Sequence, residues 1–221
     1  MLAVRTRTLE KAIRLAVVAD QPLTRDALVA VLTETGDFDV LAATTSIDAA
    51  GRLLDDPRLQ VLLVNLPLAA AGTAPAPGIA FIRAAKERRP DVGVLSLKRS
   101  VDESLLRAAL DAGSDACCLV STPVARLRQA IAAVAAGATW LDPEISRVLL
   151  RPKERPALPH LTPRERSILA LLVDGCSNAE IAAQLGCAPA TIHTHVLHLF
   201  KKMGVRHRVT AAVCALRAGL V

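Results

Sequence analysis

The chain has 221 residues, room for two domains of roughly 100–150 residues each. Apolar residues make up 52% and aromatic residues 2%, with no Tyr. The core must therefore be built from Ala, Leu, Val and Ile, and Phe38, Phe81, Trp140 and Phe200 are too few for a base-stacking platform on single-stranded nucleic acid. The net charge of +6 is unevenly placed: residues 1–150 hold 17 basic and 17 acidic side chains, whereas residues 158–221 hold 7 against 3 and all five His.

The five Cys form no C-x-x-C pair and no metal-ligand spacing, and no secretory pattern opens the chain, which reads as a reduced, cytoplasmic protein. Residues 59–82 are free of charge, yet Asn65, Pro67, Pro75, Pro77 and two Gly argue against a lipid-facing helix.

In chain order, residues 1–12 read as an extension. Apolar runs at 14–19, 38–43, 60–65, 92–97 and 116–119 read as strands, because continuous apolar character fits a strand buried on both faces. Helical patterns lie between and after them, near 22–34, 46–54, 79–89, 102–112 and 124–136, with a short helix over 142–150. Five β/α repeats predict a doubly wound α/β domain with a five-stranded parallel sheet over residues 13–150. Residues 151–160, RPKERPALPH, carry three prolines and alternating charge and read as a linker.

The remainder, 161–221, reads as all helix. Thr162-Pro163-Arg164-Glu165 and Ser177-Asn178-Ala179-Glu180 are capping boxes, the first with Pro at the opening helical position. They open helices over 163–173 and from 178 to a stop at Gly186. Pro189 starts a third helix running to Gly204, with Ala188 a poor cap, and a fourth covers about 208–218. Two short helices joined by a tight Gly-containing turn form a helix-turn-helix.

At about 100° per residue, the third helix places Ile192, Val196, Leu199 and Met203 on one stripe, with Phe200 beside it. Thr194, Leu197, His198 and Lys201 lie opposite, with His193 on the flank. Such a face fits duplex DNA: Lys201 and Lys202 toward phosphates, Thr194 or Leu197 toward a thymine methyl. The DNA-facing set is completed by Asn178 and Thr191. A metal site at His193, His195 and His198 is not expected, since His193 and His195 point about 160° apart on a helix.

The segment LTPRERSILALLVDGCSNAEIAAQLGCAPATIHTHVLHLFKKMGVRHRVTAAVCALRAGL closely resembles the LuxR-type helix-turn-helix over nearly all of 161–220. The likeness rests on the TPRE opening, G-x-S-N-x-E-I-A, T-I-x-x-H-V, K-K-M-G-V and the closing A-x-x-x-G-L. It implies that the helix holding Thr191 to Lys202 is the recognition helix and that the last helix supplies a dimer contact. His195 matches the histidine of T-I-x-x-H-V and lies beside the core stripe, which reads as a packing and hydrogen-bonding role rather than a base contact. The family usually has Lys at the position of His193 and often a polar or basic residue at that of Leu197, which bears on the operator sequence read.

Residues 13–150 more loosely resemble the flavodoxin-like receiver of NarL/FixJ-type response regulators, through V-x-A-D-x-P-L-x-R-x-A-L, A-L-x-A-G-S and A-I-x-A-V-x-A-G-x-x-x-L-x-P-E. The resemblance implies two acids after the first strand for Mg²⁺, an Asp nucleophile after the third, Thr or Ser after the fourth and Lys after the fifth. Here those positions hold Ala19-Asp20, Asn65, Lys98 (with Ser96 two residues earlier) and Val120. An amide carries no nucleophilic oxygen anion, and one carboxylate is a poor Mg²⁺ site. The loop after Asn65 also looks long and rich in Ala and Pro.

The expectation is an atypical receiver, not phosphorylated, in a cytoplasmic DNA-binding regulator that is not an enzyme, needs no cofactor and acts as a homodimer. Three explanations of the receiver-like domain stay open: a dimerising scaffold, a site for a small-molecule or protein signal near Asp20, Asn65 and Lys98, and a covalent signal at Cys117 or Cys118. The rival readings are a conventional phospho-switched regulator and an adaptor that has lost DNA. Lys98 is expected to pair with Asp20 in place of the missing cation.

Overall fold

The computed structural model describes residues 12–34, 36–65, 77–99, 101–150 and 160–219. The N-terminal extension up to residue 11, the loop at 66–76 and the linker at 151–159 lie outside the described residues. One parallel sheet contains β1 (Ile13–Ala19), β2 (Phe38–Thr44), β3 (Val61–Asn65), β4 (Gly93–Lys98), β5 (Ala116–Leu119) and β6 (Trp140–Leu141), in the order β2-β1-β3-β4-β5-β6. Between and after the strands run α1 (Pro22–Thr33), α2 (Ile47–Leu53), α3 (Pro77–Arg88), α4 (Glu103–Ala112), α5 (Val124–Ala135) and α6 (Pro143–Leu149).

The period-2 alternation of strand side chains divides the core. Ala16, Val18, Leu62, Val64 and Val94 pack beneath α2, α3 and α4, with Ile79, Phe81, Ile82 and Ala109. Leu15, Val17, Leu63, Leu95 and Cys118 face the other way, against Leu32 of α1 and Leu127, Ile131 and Val134 of α5. Strands covered on both sides leave no polar face, which is why they stand out in the sequence as unbroken apolar runs.

The expected five strands are six. Trp140 and Leu141 pair with Ala116 and Cys117 of β5. Two residues carry no readable periodicity, so this strand is made by its neighbour rather than by its own sequence.

The C-terminal region is helical: α7 (Pro163–Val173), α8 (Asn178–Leu185), α9 (Pro189–Met203) and α10 (Arg208–Ala218). It is docked on the sheet domain. Val209 and Val213 of α10 are buried in one cluster with Leu106 and Leu110 of α4, Leu119 of β5 and Ile145 and Leu149 of α6. Arg217 fastens the edge, its Nε donating to the Leu149 carbonyl at 2.6 Å and its guanidinium lying 3.3 Å from Glu103. No helix among the described residues is long and apolar enough to cross a membrane.

The sheet's carboxyl edge departs from expectation at Lys98, which forms no ion pair with Asp20. The Lys98 side chain is 7% exposed, and its Nζ has no hydrogen-bond partner among the described residues, while Asp20 is exposed. The reason is topological. Strand β3 lies between β1 and β4, so their ends are two strand spacings apart, about 10 Å. Lys98 is buried instead within the electrostatic reach of the Cys117 thiol.

Burial pushes the Lys98 ammonium down from 10.5 to about 8. Between those values the unfolded chain binds the proton and the folded chain does not, so stability rises with pH across that window. Below it both states are protonated and the folded state carries the full penalty, roughly 3 kcal/mol at 1.4 kcal/mol per unit. Lys98→Met is expected to be more stable than the wild type at neutral pH by up to that amount, and to lose the rise between pH 8 and 10. Urea unfolding at a series of pH values checks this; a variant no more stable than wild type at pH 7 would contradict it.

Candidate nucleic-acid interface

The starts of α7 and α8 are locally encoded. Thr162 Oγ1 accepts from the Glu165 amide at 3.2 Å, and Glu165 Oε2 accepts from the Thr162 amide at 2.7 Å. Ser177 and Glu180 repeat the exchange at 3.3 and 2.6 Å. Each box satisfies two amides that a helix start otherwise leaves open. Helix α8 ends at Gly186, whose φ of 66° is left-handed, a conformation that needs a residue without Cβ. That sharp stop, followed by Pro189 at the head of α9, sets the turn between the two helices.

Helix α9 buries Ile192, Val196 and Leu199 against Ile168, Leu169 and Leu172 of α7, Ile181 of α8 and Ala211 and Ala215 of α10. Its opposite face is open: Thr191, His193, Thr194, Leu197, His198, Lys201 and Lys202 are all exposed, and Leu197 is 52% exposed. An apolar side chain half in water on a helix that elsewhere sorts its residues cleanly is available for an apolar contact. His195 is half-buried beside the core stripe.

The expected DNA-facing residues are not equivalent. Lys202 Nζ lies 2.8 Å from Glu165 Oε2, so its charge is engaged at the start of α7. Lys202, together with the Thr162 amide, holds the Glu165 carboxyl down at about 2. Lys201 has no ion pair among the described residues. Thr194 Oγ1 donates to the Ala190 carbonyl at 3.2 Å, and the side chain is exposed. Asn178, at the first position of α8, is half-buried, and its Oδ1 accepts from Arg208 Nη1 at 3.1 Å.

Arg208 was not among the residues singled out in the sequence. It opens α10, where the helix dipole disfavours a cation. That conflict with the local rule is the signal that marks it, since such violations gather at functional positions.

Asn178, His193, Leu197 and Arg208 line one side of an open cleft of about 320 Å³. Lys86, Pro90, Asp91 and Asp115 of the sheet domain line the other. Lys86 Nζ and Asp115 Oδ2 are paired there at 2.7 Å. His207, at the mouth of α10, is packed against Gly113, and burial pushes its imidazole down.

At the other end of the sheet domain, Ala19 and Asn65 are buried opposite each other, and Asn65 Nδ2 has no hydrogen-bond partner among the described residues. Ser96 is turned inward, its Oγ donating to the Ala116 carbonyl and lying 3.1 Å from Cys117 Sγ. Val120 is 48% exposed. Cys117 and Cys118 are fully buried, and burial pushes both thiols up, Cys118 to about 12, which makes them packing residues and poor nucleophiles.

Comparison with known proteins agrees with this organisation. The profile of bacterial regulatory proteins of the luxR family matches residues 159–215. The transcriptional regulatory protein MctR of Rhizobium johnstonii is 30% identical over 212 residues, covering 95% of each chain. LiaR of Bacillus subtilis is 29% identical over 95% of this chain and 99% of its own. In fold, the chain is similar to the response regulator RcsB solved in a complex with DNA, with a TM-score of 0.54, 21% identity and coverage of 95% and 100% of the two chains. The matched helix-turn-helix and the end-to-end likeness to MctR place this chain in the luxR family of bacterial regulatory proteins, as a DNA-binding transcriptional response regulator.

Proposed function

We propose that the chain regulates transcription as a homodimer that reads duplex DNA in the major groove with the exposed face of α9, and that its receiver-like domain is not switched by aspartyl phosphate. On this reading Thr191, His193, Thr194, Leu197 and His198 face base edges, while Lys201, Lys202 and Asn178 face the backbone. Residues 13–150 form the receiver-like domain, 151–160 the linker and 161–221 the DNA-binding domain. The signal is a ligand or partner at the receiver-like domain. The observation that carries the second half is the buried amide of Asn65 at the end of β3, with apolar Val120 exposed at the end of β5. A carboxylate nucleophile and a lysine ammonium would be needed there for acyl phosphate chemistry.

The docked arrangement leaves the DNA-facing side of α9 exposed and sets His193 and Leu197 at the rim of the cleft of about 320 Å³ that Lys86 and Asp115 also line. On this reading the sheet domain borders the surface a duplex would occupy, so DNA binding favours a form in which α9 stands clear of Lys86 and Asp115.

Acetyl phosphate with Mg²⁺ is expected to leave both the wild type and Asn65→Asp unmodified on a phosphate-affinity gel. The single variant still lacks the second metal-binding acid at Ala19 and the ammonium at Val120. Robust labelling of Asn65→Asp would show that the site retains more of its chemistry than this reading allows.

Contacts to phosphate and to bases are separable by salt. Lys201→Ala is expected to weaken binding to an operator and a scrambled duplex alike, lowering the log–log salt slope by about one unit. Thr194→Ala and Leu197→Ala should each lose roughly 1–3 kcal/mol on the operator alone, with the slope unchanged. Equal loss on both duplexes for the latter two would reverse the assignment of this face.

A further inference from the structure

The Arg208 guanidinium is turned into the fold of the C-terminal domain, against the turn before α8 and the head of that helix. One Nη donates to the Cys176 carbonyl in the turn before α8, and the other donates to Asn178 Oδ1 at 3.1 Å. Its Nε is buried without a partner among the described residues. Desolvating a guanidinium is unfavourable, and a salt bridge would offset it best. Here the two acceptors are a carbonyl and an amide oxygen. The fork therefore fixes two groups at the head of α8, while burial outweighs the attraction of the Asp115 and Glu180 carboxylates and pushes the guanidinium down.

The consequence lies in the amide. An asparagine side chain can present either its oxygen or its NH₂ outward, and its hydrogen-bond partners decide which. With Oδ1 held by Arg208, the Nδ2 group points away from the guanidinium. Nδ2 has no acceptor among the described residues, and Asn178 lines the open cleft.

We propose that Arg208 is a positioning residue for DNA binding: it orients Asn178 so that its Nδ2 donor, at the start of the helix preceding the recognition helix, meets a backbone phosphate. Arg208 itself touches no DNA. The planar, rigid fork suits this task because it engages two acceptors at fixed separation, which a lysine ammonium cannot do. The inference rests on the DNA reading above and adds to it a residue that reads no base and contacts no phosphate.

The test is a double-mutant cycle in the full-length chain, with affinity read by fluorescence anisotropy. The probes are an operator duplex recovered by genomic footprinting and a scrambled duplex of equal length. Asn178→Ala is expected to weaken binding to both duplexes roughly tenfold, the value of one hydrogen bond to a charged acceptor. Arg208→Lys, which keeps the charge and loses the fork, is expected to do the same. The double variant should bind within about twofold of either single one, because both remove the same contact.

A change in domain docking, or a phosphate contact by Arg208 itself, would instead multiply with Asn178→Ala to roughly a hundredfold. Asn178→Asp keeps an acceptor for Arg208 but has no donor. It should bind more weakly than Asn178→Ala, having lost the donor and gained a charge that repels phosphate, while its thermal midpoint is no lower. The dependence on Arg208 is read from the double-mutant cycle. Wild-type affinity in Arg208→Lys or Asn178→Asp, or a multiplicative double variant, overturns the proposal. A wild-type chain that binds neither duplex removes the DNA reading itself.

Discussion

The arrangement of the molecule depends on one small apolar cluster that belongs to both domains. Leu106, Leu110, Cys117, Leu119, Ile145 and Leu149 come from the sheet domain, and Val209 and Val213 from α10. Burying a side chain such as Val contributes about 1.5–3 kcal/mol, so Val209 and Val213 are substantial contributors to the docked form. Arg217 against Glu103 and the Thr210 hydroxyl 3.5 Å from Asp111 form its polar rim. Contacts of this kind between domains of one chain generally permit relative motion. The consequences reach α9, because docking α10 on α4 and α6 turns His193 and Leu197 toward Asp91 and Asp115.

The sheet beneath this cluster illustrates how fold and chemistry separate within one domain. Leu15 to Ala19, Val61 to Leu63 and Val94 to Leu95 are fully buried, and their apolar character alone specifies a parallel sheet covered on both faces. None of that requires acids at the strand ends. Asn65, Ser96 and Lys98 sit at or near those ends as buried polar groups, and two of them lack partners among the described residues. The architecture persists with an edge that carries an energetic penalty, the usual mark of a position retained for something other than stability.

What could be read from the sequence follows the range over which each feature is determined. The five long strands and the helices between them depend on periodicity within a dozen residues, and both capping boxes depend on four. Strand β6 could not be read, because Trp140 and Leu141 become a strand only by pairing with β5. The contact expected between Asp20 and Lys98 failed for a related reason: both do follow strands, but their separation depends on β3 lying between them. Of the DNA-facing set, the exposed face of α9 was legible from the helical wheel. The engagement of Lys202 by Glu165, 37 residues earlier, and of Asn178 by Arg208, 30 residues later, was not. The docking of the two domains left no sequence signal, since Val209 and Val213 look like ordinary core residues of α10.

These parts are physically continuous. Lys98 is in register with Leu119, and the Val120 amide donates to the Lys98 carbonyl at 2.7 Å. Leu119 is itself a member of the cluster that holds α10. The carboxyl edge of β4 and β5 therefore lies one residue from the surface on which α10 is docked. A signal arriving at that edge can shift the docked and open populations only by its difference in affinity for the two. On the proposed function, a ligand or partner with such a difference in affinity would act without a covalent phosphate. If DNA favours an open form, reciprocity makes it change the affinity of that edge for its signal by the same factor.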